Sequence, residues 1–139
     1  FSKEKKNPLP LMTVYKTPSC GCCTKWVDHL KSNGFTVKVI EKNNLTSLKD
    51  EKKIPQDLRS CHTGFVGKYT IEGHVPAEDI LRILMEKSEI EGLAVGGMPI
   101  GSPGMEYKDK KDPYDVIALK KNGKRYVYKS YHKPLKLKK

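Results

Sequence analysis

Four cysteines carry the chemistry of this 139-residue chain, and three of them crowd into one turn: Cys20-Gly21-Cys22-Cys23. That stretch holds a C-x-x-C pair (Cys20, Cys23), a C-x-C pair (Cys20, Cys22) and an adjacent pair (Cys22, Cys23), while the fourth, Cys61, precedes His62. Three chemistries compete for such a set. Two ordinary disulfides would staple the fold, but three cysteines within four residues are too crowded to pair conveniently with one distant partner. Thiol–disulfide exchange by Cys20 and Cys23 is the second, with Cys22 an awkward spare thiol beside the pair. Soft-metal binding is the third. A zinc site normally draws on two separated C-x-x-C-like pairs; here three thiols stand together and one alone. Adjacent cysteines close tight rings on one ion and serve better when each sulfur bridges different ions. Soft thiolates select Cu(I). One Cu(I) held by four thiolates would carry a buried charge of −3, whereas a cluster with as many Cu(I) ions as thiolates is neutral, which points to a multinuclear copper–thiolate site.

Imidazole and thioether groups also bind copper, so His62, His74, Met98 and Met105 stand as secondary ligand candidates. The competing roles are core packing for methionine and a hydrogen-bonded structural role for histidine. Met98 and Met105 bracket the Gly/Pro-rich run Met98-Pro99-Ile100-Gly101-Ser102-Pro103-Gly104-Met105, where loops seldom form core and commonly carry function. His29 is expected at the surface, and His132 is assigned no role.

The elements that must position these groups follow from periodicity. Residues 1–10 read as an extended lead-in with Pro8 and Pro10, and 11–16 as a first strand. Cys23, Trp26, Val27 and Leu30 lie on one helical face, with Asn33-Gly34 as its stop. Residues 35–40 alternate and predict a second strand, making 11–40 a β-α-β unit with the cysteines at the strand-to-helix turn. Unpaired N–H groups and the positive end of the helix dipole there should lower thiol pKa values. A short helix over 45–53, a turn from Pro55 to Leu58 and a strand from Phe65 to Ile71 follow. Pro76 then opens a second helix as its first residue, with Ala77, Ile80, Leu81, Leu84 and Met85 as the apolar face. Residues 92–104 hold five Gly and two Pro and read as a long irregular loop. Tyr114–Leu119 and Arg125–Tyr131 flank Asn122-Gly123 as a hairpin. No internal repeat or domain boundary is visible.

The net charge is +11, from 27 Lys+Arg against 16 Asp+Glu. The cations are nearly all Lys; Arg59, Arg82 and Arg125 are the only arginines. Apart from Lys133, Lys136, Lys138 and Lys139 near the end, they are dispersed. This reads as a solvated surface rather than a nucleic-acid footprint, which leans on Arg. No apolar run approaches membrane-spanning length. The chain begins at Phe1, which fits removal of a secretion signal.

Several motifs occur in one order: Tyr-Lys-Thr-Pro-Ser-Cys-Gly-Cys-Cys (15–23), Trp26-Val27, Ser60-Cys61-His62-Thr63, Glu72-Gly73-His74-Val75-Pro76-Ala77, Gly92-Leu93-Ala94-Val95, and Gly97 through Glu106. Over roughly residues 11–131 the chain resembles the CopG family of bacterial copper-resistance proteins, long listed as a domain of unknown function. The resemblance implies an α/β, thioredoxin-like domain over 11–131, with a central mixed sheet, flanking helices and a C-terminal β-hairpin, between the lead at 1–10 and a basic tail at 132–139. It implies export to the periplasm and work alongside copper-efflux or copper-oxidising proteins. It also implies Cu(I) held by Cys20, Cys22, Cys23 and Cys61, with redox chemistry of that copper part of the family's proposed role. By analogy with thioredoxins, Pro99 would be a cis-proline seated against the cysteine turn, setting Met98 beside the metal. Gly96-Gly97 departs from the family, which often has proline before the glycine.

Overall fold

Met12 and Val14 alternate with half-buried neighbours along the first strand, β1 (Met12–Lys16), and this two-residue period turns one face of it into the core. The structure, a computed structural model, describes residues 9–97, 99–106, 108 and 110–132. After β1 come α1 (Gly21–Ser32), β2 (Val37–Glu41), α2 (Thr46–Glu51), a 3-10 turn (Gln56–Leu58), β3 (His62–Val66), β4 (Tyr69–Glu72), α3 (Ala77–Glu86), β5 (Gly92–Ala94), β6 (Tyr114–Leu119), a 3-10 turn (Lys121–Gly123) and β7 (Arg125–Tyr131). The strands form one mixed sheet in the order β2-β1-β3-β4-β5-β6-β7. β1 pairs parallel with β2 and antiparallel with β3. β4 pairs antiparallel with β3 and parallel with β5. Both parallel pairs are bridged by a helix, as parallel strands require.

The main core gathers Met12, Val14, Trp26, Leu30, Ile71, Ile80, Ile83 and Leu93, so α1, α3 and the sheet share one apolar interior. The α/β architecture, the β-α-β unit and the C-terminal hairpin are as the sequence indicates. Five details differ. The helix expected from Cys23 begins at Gly21 with Cys20 as its N-cap, so the cysteine turn lies on the cap and first turn. The strand expected over Phe65–Ile71 is a hairpin, β3 and β4, reversed at Gly67 with φ +57. Pro76 caps α3 in an extended conformation, and Ala77 is the first helical residue. The buried face of α3 runs through Ala77, Ile80 and Ile83, leaving Met85 79% exposed.

The fifth difference is the most instructive. Gly92 opens a buried strand, β5, inside the segment that reads as loop. A Cβ there would stand 1.8 Å from the Thr70 carbonyl oxygen, so the glycine marks a close backbone approach in the sheet rather than a turn.

Candidate metal centre

Strand register brings the sulfur and imidazole groups to one end of the sheet. Lys16, the last residue of β1, lies opposite His62, the first of β3, so Cys61 sits beside the exit of β1 that leads into the cysteine turn. Thr63 pairs with Glu72 across the β3–β4 hairpin, which returns Gly73 and His74 to the same end. The β1–β3 pairing thereby closes the separation of Cys20 from Cys61 along the chain, and the β3–β4 pairing adds His74.

The four cysteine sulfurs all lie within 4.8 Å of one another. Cys20 and Cys23 form a disulfide with Cα atoms 5.4 Å apart; Cys22 and Cys61 keep their thiols. Cys22 Sγ is 3.6 Å from Cys20 Sγ and 3.8 Å from Cys61 Sγ. A disulfide between Cys20 and Cys23 is the local pair that the C-x-x-C spacing favours, and it leaves Cys22 and Cys61 side by side.

Two histidines complete the cluster. His62 is fully buried, and its Nε2–H donates to the Gly73 carbonyl at 2.8 Å. That assignment leaves the Nδ1 lone pair facing Cys23 Sγ and Cys61 Sγ, each at 3.2 Å. His74 mirrors it. Its Nδ1–H donates to the Pro103 carbonyl at 2.6 Å, and its Nε2 faces Cys61 Sγ at 3.3 Å. Carbonyls that hold the far N–H of an imidazole are the usual means of aiming the near nitrogen at a metal. Cys61, His62 and His74 thus form a second converging donor set within 4.8 Å. The Trp26 ring stacks on His62 at 4.2 Å, and its indole N–H is tied to the Val75 carbonyl at 2.9 Å.

Burial governs the charge states. It pushes the His62 imidazole down to about 3, with the charges of His74 and Lys49 acting the same way. Burial likewise lowers His74, opposed by its bond to Pro103 and by Glu106. Both rings are neutral, the form that ligates metals. The Cys61 thiol is pushed up to about 12, chiefly by burial, with Cys22 adding to it and Ser60 opposing. Cys61 lies at the head of a strand, away from the helix dipole that acts on the cysteine turn. As a thiol it can donate to the neutral imidazoles, and a metal ion would displace its proton.

Met105 shares an open hollow of about 570 Å³ with Cys22, Ile100 and Gly104. Gly104, at φ +92, is what lets this loop close: a Cβ would lie 3.0 Å from Cys22 O, His74 Nδ1 and Trp26 N. Met98 lies outside the described residues, and with it the Met98–Pro99 bond expected to be cis. His29 is not the surface residue expected. It is half-buried, and its Nε2 accepts the Ala77 N–H at 3.0 Å, capping α3. Spacing also gave no sign of Trp26 as a ring support or of the buried polar group formed by Lys49, Thr63 and Glu72. Apolar periodicity counts a tryptophan as core and a lysine as surface.

Comparison with solved structures bears on what this cluster is for. The chain is 42% identical to a structure described as "Copper resistance protein copG- Form 2", covering 90% of this chain and 99% of that one with a TM-score of 0.85. The chain belongs to the CopG copper-resistance family. A second CopG structure, described as "Form 1", matches at 42% identity with a TM-score of 0.82, covering 88% of this chain and 98% of that one. Residues 58–105 also match a family described as protein of unknown function, DUF411. That segment carries Cys61, His62, His74 and Met105 and stops short of the cysteine turn. No curated protein sequence matches. Membership in the CopG family and the cluster of four cysteines together support a copper-related function.

Proposed function

We propose that this chain is a periplasmic copper-resistance protein that binds Cu(I) at Cys20, Cys22, Cys23 and Cys61, and so sequesters or hands on copper. The observation that carries the reading is the convergence of all four sulfurs from two distant segments. The donor set suits the ion: thiolate sulfur with neutral imidazole from His62 and His74 is soft to borderline, and Cu(I) prefers it. Reduction of the Cys20–Cys23 bond by an external dithiol would release both sulfurs for metal. Charge balance favours a multinuclear cluster, with roughly one Cu(I) per thiolate, over a single ion carrying the charge of all four. Met105, at the hollow beside Cys22, and Met98 are proposed as outer thioether donors. No helix among the described residues is long and apolar enough to cross a membrane. Periplasmic copper-efflux or copper-oxidising proteins are the proposed partners. The half-sheet β2-β1-β3-β4 with α1 and α3 is read as thioredoxin-like, supported by a β-α-β unit followed by β-β-α.

The Cys20–Cys23 disulfide at the start of α1 favours a second reading, a thiol–disulfide oxidoreductase acting through that pair. Cys22→Ser separates the two. Anaerobic Cu(I) titration of reduced wild-type protein against a chromogenic chelator should show several ions bound, and the variant should lose most of them. Retained exchange of Cys20 and Cys23 with a small disulfide, together with unchanged copper uptake, would instead make the protein an oxidoreductase.

A further inference from the structure

We infer that Glu72, with Lys49 and Thr63, is a positioning clamp that sets the Cys61–His62 pair for metal binding. Glu72 is fully buried at the end of β4, and Lys49 of α2 is nearly so. Glu72 Oε2 accepts the Ser60 backbone N–H at 2.7 Å and pairs with the Lys49 ammonium. Glu72 Oε1 accepts the Thr63 hydroxyl proton at 2.6 Å, and Lys49 Nζ donates to Thr63 Oγ1 at 2.9 Å. Ser60 and Thr63 are the two residues flanking Cys61-His62. One carboxylate therefore grips both ends of the dipeptide that supplies a sulfur and an imidazole to the site. The next residue, Gly73, continues the hold: its N–H donates to the His62 backbone carbonyl at 3.2 Å, and its carbonyl accepts the His62 Nε2–H. Ser60 is tied on its other side as well, its hydroxyl donating to Gly97 O at 2.6 Å.

A buried ion pair is weak as a source of stability, because desolvation offsets the attraction. Its value here lies in direction. Cys61 immediately precedes β3, just beyond the last β1–β3 pair at Lys16 and His62, so the backbone ladder holds it from one side only. The carboxylate fixes the other side at a point where a small shift would carry Cys61 Sγ away from Cys22 and His74. Outer groups that orient metal ligands typically contribute ten- to a hundredfold in affinity.

The inference rests on the copper reading for its metal test but has a readout without metal. In the metal-free protein carrying the Cys20–Cys23 disulfide, diamide should oxidise Cys22 and Cys61 to a second disulfide. The two thiol protons and two electrons pass to the azo group, which becomes the hydrazine, and mass spectrometry follows the loss of two hydrogens. With the sulfurs 3.8 Å apart, wild-type protein should close this bond quickly. Glu72→Gln should slow it by about ten- to a hundredfold, as displacement of reacting atoms by about 1 Å does. In parallel, Cu(I) affinity by chelator competition should fall about ten- to a hundredfold. Thr63→Val, isosteric and lacking only the hydroxyl, should give a smaller loss in both and serves if Glu72→Gln does not fold. Ile80→Ala, a core deletion in α3 away from the clamp, controls for general destabilisation and should leave both readouts unchanged in folded protein. Wild-type rates and affinity in folded Glu72→Gln and Thr63→Val, or equal slowing by Ile80→Ala, would overturn the clamp. If wild-type protein binds no Cu(I), the copper reading fails, while the cross-linking rates still decide the role of Glu72.

Discussion

Replacing Gly104 by alanine puts a methyl group where the structure has no room for one. Gly104 is at φ +92, and a Cβ would meet Cys22 O, His74 Nδ1 and Trp26 N, all at 3.0 Å. Two of these atoms belong to the backbone of α1, and the third is a ring nitrogen bonded to Pro103 O. None is the free end of a flexible side chain, so the loop itself must lift. The left-handed backbone costs an L-residue about 1–2 kcal/mol, and overpacking against fixed atoms about 1–3 kcal/mol. Reduced freedom of the unfolded chain returns about 0.4–1 kcal/mol. The net loss is therefore about 1–5 kcal/mol. Gly123 supplies the control. At φ +75 it has nothing within 4 Å of its Cβ position, so Gly123→Ala carries the backbone cost alone, about 1 kcal/mol after the same offset. Urea denaturation followed by circular dichroism should place Gly104→Ala at least about 1 kcal/mol below Gly123→Ala, with unchanged m values. Equal losses in the two variants would refute the close approach of this loop to α1 and His74.

Trp26 is the single tryptophan of the chain. Trp26→Phe should lose about 2–4 kcal/mol in denaturant unfolding, through the space vacated and the Val75 carbonyl left without its donor; because the indole also stacks on His62, its fluorescence should quench in step with Cu(I) loading in wild-type protein. His29 has its pKa lowered, chiefly by burial, from an ordinary 6.5. The stability from its Nε2 acceptor is therefore complete above that value and drains away as pH falls through the lower folded one. His29→Gln, which keeps an acceptor without titrating, should gain about 1 kcal/mol relative to wild type between about pH 7 and about pH 5 in unfolding titrations. Thiol titration in denaturant should return two thiols, Cys22 and Cys61, from oxidised metal-free protein and four after reduction. Four before reduction would exclude the Cys20–Cys23 bond.

Local signals in the sequence determined much of this protein. The i, i+3, i+4, i+7 row at Cys23, Trp26, Val27 and Leu30 is enough to specify α1, and Asn122-Gly123 between two β-prone runs is enough to specify the β6–β7 hairpin, because both depend on residues near one another in the chain. Crowding of three thiols at the head of a helix marked the site for the same reason. What tertiary structure decided depends on pairings across the chain. Only the β1–β3 register brings Cys61 to the cysteine turn, and only the β3–β4 hairpin returns His74 to Cys61. Gly92 reads as loop from composition but lies in a strand paired with β4 and β6, where Thr70 passes too close for any side chain. Lys49 reads as surface and lies buried because Glu72, at the end of β4, pairs with it. A residue's period and type report the company it keeps along the chain; the partners that neutralise, orient or crowd it are chosen by the fold.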